Sequence, residues 1–268
     1  MFASLAALRQ FSMLQLPSEP KLVSKTGNRA IFEIAPLYPG YGMTIGNALR
    51  RVLISSLEGA AITSVKIKGV DHEFSAIPGV LEDVIDIVLN LKKVRFKLFG
   101  DEPVVVTLSA KGDGEVTAGD IRTTSDVQVI NKEQHIATIT DKKTELEMEM
   151  TVEKGIGYVP VEQRRKEKLS VGEIAIDGIF TPIKNVNFTV ENIRVGGRTD
   201  YNKVLLDIET DGSISPESAL KKASQILIDH FSIVSSIAVP EDTKTENAKT
   251  EEEKPKKRGR KKKTETEK

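Results

Sequence analysis

RAIFEIAPLYPGYGMTIGNALRRVLISSL, residues Arg29 to Leu57, holds two periodicities separated by a turn. Up to Leu37 the apolar side chains alternate, with Ile31 on one side and Phe32 and Ile34 on the other, the period of a strand with one covered face. Beyond the glycine-rich turn the period lengthens. Ile45, Ala48, Leu49, Val52, Leu53 and Leu57 recur as one buried helical face, which predicts a helix over 45–57 with Thr44 as its N-cap. At about 100° per residue, Asn47, Arg51, Ile54 and Glu58 share the opposite face. That face admits two readings: a solvated surface with one stray isoleucine, or a contact surface built around an arginine.

The turn itself resembles a phosphate cradle, since a strand, a glycine-rich bend and a helix N-terminus follow one another. Its glycines, Gly40, Gly42 and Gly46, are spaced G-x-G-x-x-x-G, one residue longer than the dinucleotide fingerprint. The surrounding strands alternate as antiparallel ones do rather than reading as continuous apolar runs. A tight strand-to-helix turn is therefore expected, without a nucleotide.

Working outward, Thr63, Val65 and Ile67 alternate with Ser64, Lys66 and Lys68, and Val94, Phe96 and Leu98 with Arg95 and Lys97. Leu146, Met148, Met150 and Val152 alternate with Glu147, Glu149, Thr151 and Glu153. Val186, Phe188 and Val190, then Val204, Leu206 and Ile208, do the same. These are half-covered antiparallel strands. A second helix is expected to follow Pro78-Gly79 and run to Leu91, its stripe of Val80, Leu81, Val84, Ile85, Val88 and Leu91 widened by Ile87 and Leu89. A third starts at Ser215-Pro216-Glu217, a cap, a proline at the first helical position and an acid at the positive end of the dipole. Its stripe is Leu220, Ala223, Ile226, Leu227, Phe231 and Val234, with Ile228 and Ile237 beside it. That is more apolar surface than one sheet face covers, so it calls for an internal partner helix or a seam with a second chain.

The 268 residues suit one large domain or two small ones. Cysteine is absent, which excludes disulfides and thiolate metal sites. No apolar run is long enough to span a membrane. MFASLAALRQFSML at the start is too short and lacks the basic lead of a signal peptide; an N-terminal extension, or translation beginning at Met13, is expected instead. The 39 basic and 39 acidic residues cancel overall, but KPKKRGRKKK, Lys254 to Lys263, is a solid basic run. Residues 239–268 hold no large apolar side chain beyond Val239 and are expected to be disordered.

Catalytic constellations are lacking. His72, His135 and His230 lie far apart in sequence and read as ordinary surface or core histidines. No phosphate loop, zinc-protease or serine-hydrolase motif occurs. The acids on strands, such as Glu147 and Glu149, form an outward row rather than a metal cluster. Neither cofactor nor metal is expected.

Four segments in order carry a family resemblance: LYPGYGMTIGNALRRVLISSLEGAAI (Leu37 to Ile62), PGVLEDVIDIVLNLK (Pro78 to Lys92), GIGYVP (Gly155 to Pro160) and RTDYNKVLLDIETDGSISPESAL (Arg198 to Leu220). Together they resemble the N-terminal domain of bacterial RNA polymerase alpha subunits. The resemblance implies an α+β fold: an antiparallel-sheet dimerisation subdomain with two packed helices (1–58 and 173–238), an inserted mainly-β subdomain contacting the large subunits (59–172), and a disordered basic tail (239–268). It implies a homodimer that serves as an assembly scaffold for the beta and beta' subunits, with omega and sigma in the holoenzyme, in a bacterial-type cytoplasm and at the nucleoid within the complex. Leu49, Val52, Leu53, Ile226, Leu227 and Phe231 become core and dimer-seam residues. Arg51, with Asn47 and Ile54 beside it, becomes the contact to beta, and Tyr158 a weaker large-subunit contact. The family's usual C-terminal DNA-binding domain has no counterpart here, and the basic run stands in its place. Arg258-Gly259-Arg260, followed by Lys261, Lys262 and Lys263, resembles part of an AT-hook, which implies a non-specific DNA contact.

Overall fold

The computed structural model describes residues 16–164 and 172–237. Its elements run β1 (Lys21–Thr26), β2 (Arg29–Leu37), α1 (Tyr41–Ser55), β3 (Glu58–Ile67), α2 (Val84–Leu91), β4 (Phe96–Leu98), β5 (Val104–Lys111) and β6 (Gly114–Thr117). Then come β7 (Ile121–Arg122), β8 (Val127–Val129), β9 (His135–Ile139), β10 (Glu145–Ile156), β11 (Tyr158–Val159) and α3 (Val161–Arg164). The chain closes with β12 (Glu173–Ala175), β13 (Gly178–Ile179), β14 (Ile183–Val195), β15 (Arg198–Thr210) and α4 (Pro216–Ser235). The fold is α+β with antiparallel sheets throughout.

Two apolar cores organise it. In the first, an antiparallel sheet of order β1-β2-β15-β14 carries α1 and α4 on one face. Sequence-distant β2 and β15 pair with Phe32 opposite Leu206 and Ala30 opposite Ile208. The alternation puts Phe32, Ile34, Val204, Leu206 and Ile208 inward against Leu49 and Leu53 of α1 and Ala219, Leu220 and Ala223 of α4. The second core lies under the sheet of order β7-β5-β10-β3-β4-β8, with β12 added on β3. Leu146, Met148, Met150 and Val152 of β10 face α2 and the two-stranded β6–β9 sheet there. Thr63 and Ser64 depart from the expected alternation, both being buried. The register between β3 and β10 shifts there, with Thr151 opposite Ser64 but Val152 opposite Ile62, and such a bulge turns successive side chains toward the same side.

The helix bounds differ from expectation in two places. α1 begins at Tyr41, four residues before Ile45, and Thr44 lies inside it rather than capping it. The cap comes from another element. The Asn202 side-chain oxygen on β15 accepts hydrogen bonds from the Gly40 and Gly42 N–H groups at 2.9 and 3.3 Å. Local sequence carries no trace of a cap supplied from over a hundred residues away. α2 begins at Val84, because Asp83 caps it by accepting from the Asp86 N–H at 2.8 Å. Val80 bridges Ile139 instead, and of the broad stripe only Val84, Ile87 and Leu91 are fully buried. α4 starts as read, with Ser215 accepting from the Ser218 N–H.

α1 lies close on the sheet because Gly46 has no side chain: a Cβ there would stand 2.5 Å from the Phe188 ring. That close approach fixes which face of α1 turns inward, and so which turns out.

Candidate functional site

The outward face of α1 carries Met43, Asn47, Arg50, Arg51 and Ile54, all exposed, with Met43 at 60% and Ile54 at 43%. Among the described residues the Arg50 and Arg51 side chains make no hydrogen bond or ion pair, leaving both guanidinium groups open to a neighbour. The helix end beneath them is pinned. Thr181 Oγ1 donates to the Ile54 carbonyl at 3.2 Å, and Ser55 Oγ to the Arg51 carbonyl at 2.8 Å. Met43 and Arg50 also belong to this face, and their four-residue spacing from Asn47 and Ile54 is the sequence signal for it.

The loop holding Tyr158 runs beside the same helix end, its Gly157 facing the Ser55 carbonyl. Tyr158 is 59% exposed. Partial burial, and then the nearby Asp177 carboxylate, push its phenol pKa up. Asp177 is itself held below the usual carboxylate range, first by Lys92, whose ammonium lies 2.8 Å away, and by the Val161 N–H. Behind the loop the Phe180 ring sits against Gly155 and Gly178, while Gly59 faces the Phe180 carbonyl; a Cβ at Gly59 would lie 1.8 Å from that oxygen. Backbone cannot yield to it as a side chain would. Gly59→Ala should therefore lower stability by about 3 kcal/mol or more, read as a shift of the urea midpoint.

Of the residues expected in the core or at the seam, Leu49 and Leu53 lie in the core. They are 5% and 0% exposed in the single chain, spent on its own core, and have no surface left for a second copy. Val52, Ile226 and Leu227 are half-buried against that core. Beyond them the C-terminal half of α4 is bare, with Ile228 at 56%, Phe231 at 65%, Ile233 at 73% and Val234 at 69%, and Ile237 just past its end is 76% exposed. An apolar cleft of about 550 Å³, with Leu57, Ile156, Ile226 and His230 in its wall, opens beside this helix.

At the glycine-rich turn three backbone donors are already engaged. Asn202 occupies the Gly40 and Gly42 N–H groups, and the Tyr41 N–H donates to the Tyr38 carbonyl at 3.0 Å. Its neighbourhood is instead aromatic, the Arg198 guanidinium standing 5.6 Å from both the Tyr38 and Tyr201 rings. His72 meets Ser75, and His230 meets the Ile226 carbonyl of its own helix. His135 is not ordinary: it lies between two carboxylates, Glu82 and Glu115. Among the described residues no group of histidine and carboxylate side chains is placed to hold a metal ion, and no helix is long and apolar enough to cross a membrane. Arg258, Arg260, Lys261, Lys262 and Lys263 lie outside the described residues.

Residues 65–181 match the family described as the RNA polymerase Rpb3/RpoA insert domain. Along more of its length the chain is similar to DNA-directed RNA polymerase subunit alpha of Moorella thermoacetica, 56% identical over 200 residues that make up 75% of this chain and 64% of the relative. The corresponding subunit of Symbiobacterium thermophilum is 48% identical over 84% of this chain and 71% of its own. That of Geobacter metallireducens is 52% identical over 89% and 68%. The chain thus spans about two thirds of the length of these curated relatives. An antiparallel sheet bearing two helices, an insert that matches the family in its own right and this degree of identity agree: the chain belongs to the family of DNA-directed RNA polymerase alpha subunits.

Proposed function

We propose that the chain is a non-catalytic structural subunit of a bacterial-type RNA polymerase. Two copies join through α1 and α4, and each offers its outward α1 face to a large subunit, beta on one protomer and beta' on the other. Residues 1–58 and 173–238 form the dimerising part and 59–172 the inserted part that meets the large subunits. Nucleotidyl transfer then belongs to the partners, and omega and sigma join the assembled enzyme in the cytoplasm.

The observation that carries this reading is the bare half of α4. Phe231, Ile233, Val234 and Ile237 are each at least 65% exposed on a single chain. Water disfavours so much bare apolar surface, and burying each such side chain contributes roughly 1–2 kcal/mol. A twofold seam uses every residue twice, so a short row suffices. Arg51 suits the second role, because its planar fork binds carboxylates or carbonyls at an interface and its side chain here is otherwise uncommitted. The basic run Lys254–Lys263 supports an added, salt-sensitive contact to DNA phosphates. Co-expression with beta and beta' tests the core of the proposal. A complex containing both large subunits and this chain is expected; recovery of the large subunits without it would refute the scaffold role.

A further inference from the structure

His135 joins three pieces of the inserted part. Its Nε2 lies 2.9 Å from Glu82 Oε1, on the segment leading into α2, and its Nδ1 lies 2.9 Å from Glu115 Oε1 on β6. Glu82 is anchored further: its other oxygen accepts from the Thr138 N–H at 2.6 Å, and Oε1 from the Thr138 hydroxyl at 3.0 Å. Leu81, next to it, donates its N–H to the Thr138 carbonyl at 2.9 Å. Leu81 then projects outward at 72% exposure, followed along α2 by Ile85 at 37% and Leu89 at 47%.

A neutral imidazole has one N–H and one lone pair. With an ionised carboxylate at each nitrogen, one contact would set lone pair against lone pair. Only the imidazolium donates to both, and charge-assisted bonds of this kind are about twice as strong as neutral ones. We propose that His135 is a proton-operated clamp that ties β6 and β9 to the start of α2 and thereby fixes the exposed Leu81, Ile85 and Leu89 face. The charged groups acting on the ring are Glu82 and Glu115; α2, also packed on β9, meets it through the Asn90 amide on the Ile136 carbonyl.

Glu82 raises the histidine pKa above its ordinary 6.5, and Glu115 adds to this against the cost of burial. The Glu82 pKa is lowered: burial opposes ionisation, but the Thr138 and His135 hydrogen bonds outweigh it. A raised histidine pKa means the folded chain holds this proton more tightly than the unfolded one. Its stabilisation is complete below 6.5 and is lost as pH climbs through the elevated folded value. The Glu82 share is lost at the other end, as pH falls through its depressed value. When the ring deprotonates, Glu115, whose side chain is 63% exposed, swings into water, while Glu82 stays tethered to Thr138.

The test is hydrogen exchange at the Leu81 amide of the full chain, corrected for intrinsic rate, beside an NMR titration of the ring. Protection is expected to fall about fivefold as the ring loses its proton, the difference between a charge-assisted and a neutral bond. His135→Gln should exchange without that step. Glu115→Gln, a change at an exposed site, should move the ring titration to lower pH and the protection step with it. A step that persists in His135→Gln, or that ignores the ring's titration in Glu115→Gln, overturns the proposal.

Discussion

Phe231→Glu is expected to convert the chain from dimer to monomer. Phe231 is 65% exposed on the single chain, so the protomer loses little by the change and its thermal midpoint should hold within a few degrees. At a twofold seam the substitution occurs twice. Each copy forfeits about 2 kcal/mol of aromatic burial and places a carboxylate beside Ile228 and Val234, its neighbours on that helix face, where it lacks water. A weakening of about three orders of magnitude or more follows. Sedimentation velocity over a concentration series checks it. Leu53→Ala makes the contrast: with Leu53 fully buried, it should cost about 2–5 kcal/mol of protomer stability and act on the dimer only through the fold.

Arg51→Ala should leave dimer and fold untouched and weaken capture of the beta subunit by about 30-fold or more, the range of an interface arginine whose removal leaves its partner unpaired. The side chain makes no hydrogen bond or ion pair among the described residues, so its loss breaks nothing among them. Arg51→Lys should recover only part of the binding, because an ammonium lacks the planar fork. Titration of labelled dimer with purified beta subunit reads both. Met43→Ala, on the same exposed face, should weaken capture less. Equal affinity in all three variants would remove this face from the account.

The architecture was legible in sequence wherever a residue's partner lies one turn or one strand position away. The alternation of Leu146, Met148, Met150 and Val152 predicted which side of β10 is buried, and Ser215 with Pro216 located the start of α4. Legibility failed where the partner came from elsewhere in the chain. Thr44 looked like a cap because the true one, Asn202, lies on β15. Leu81 and Ile85 looked like core because their spacing suits a helix, but the Val80–Ile139 bridge and the Asp83 cap put them outside. His135 looked ordinary, since neither Glu82 nor Glu115 is near it in sequence. At the candidate site, spacing located the outward face of α1, yet it did not separate Leu49 and Leu53, consumed by the protomer core, from Ile226, Leu227 and Phe231, which retain surface.

Everything proposed about assembly depends on the bare half of α4 finding a second copy of itself. The direct test is the mass of the purified chain in solution at micromolar concentration, by sedimentation equilibrium or light scattering. The account predicts twice the 29.5 kDa of one chain, falling to a single chain in Phe231→Glu. A wild-type chain that stays at 29.5 kDa across that range would contradict it.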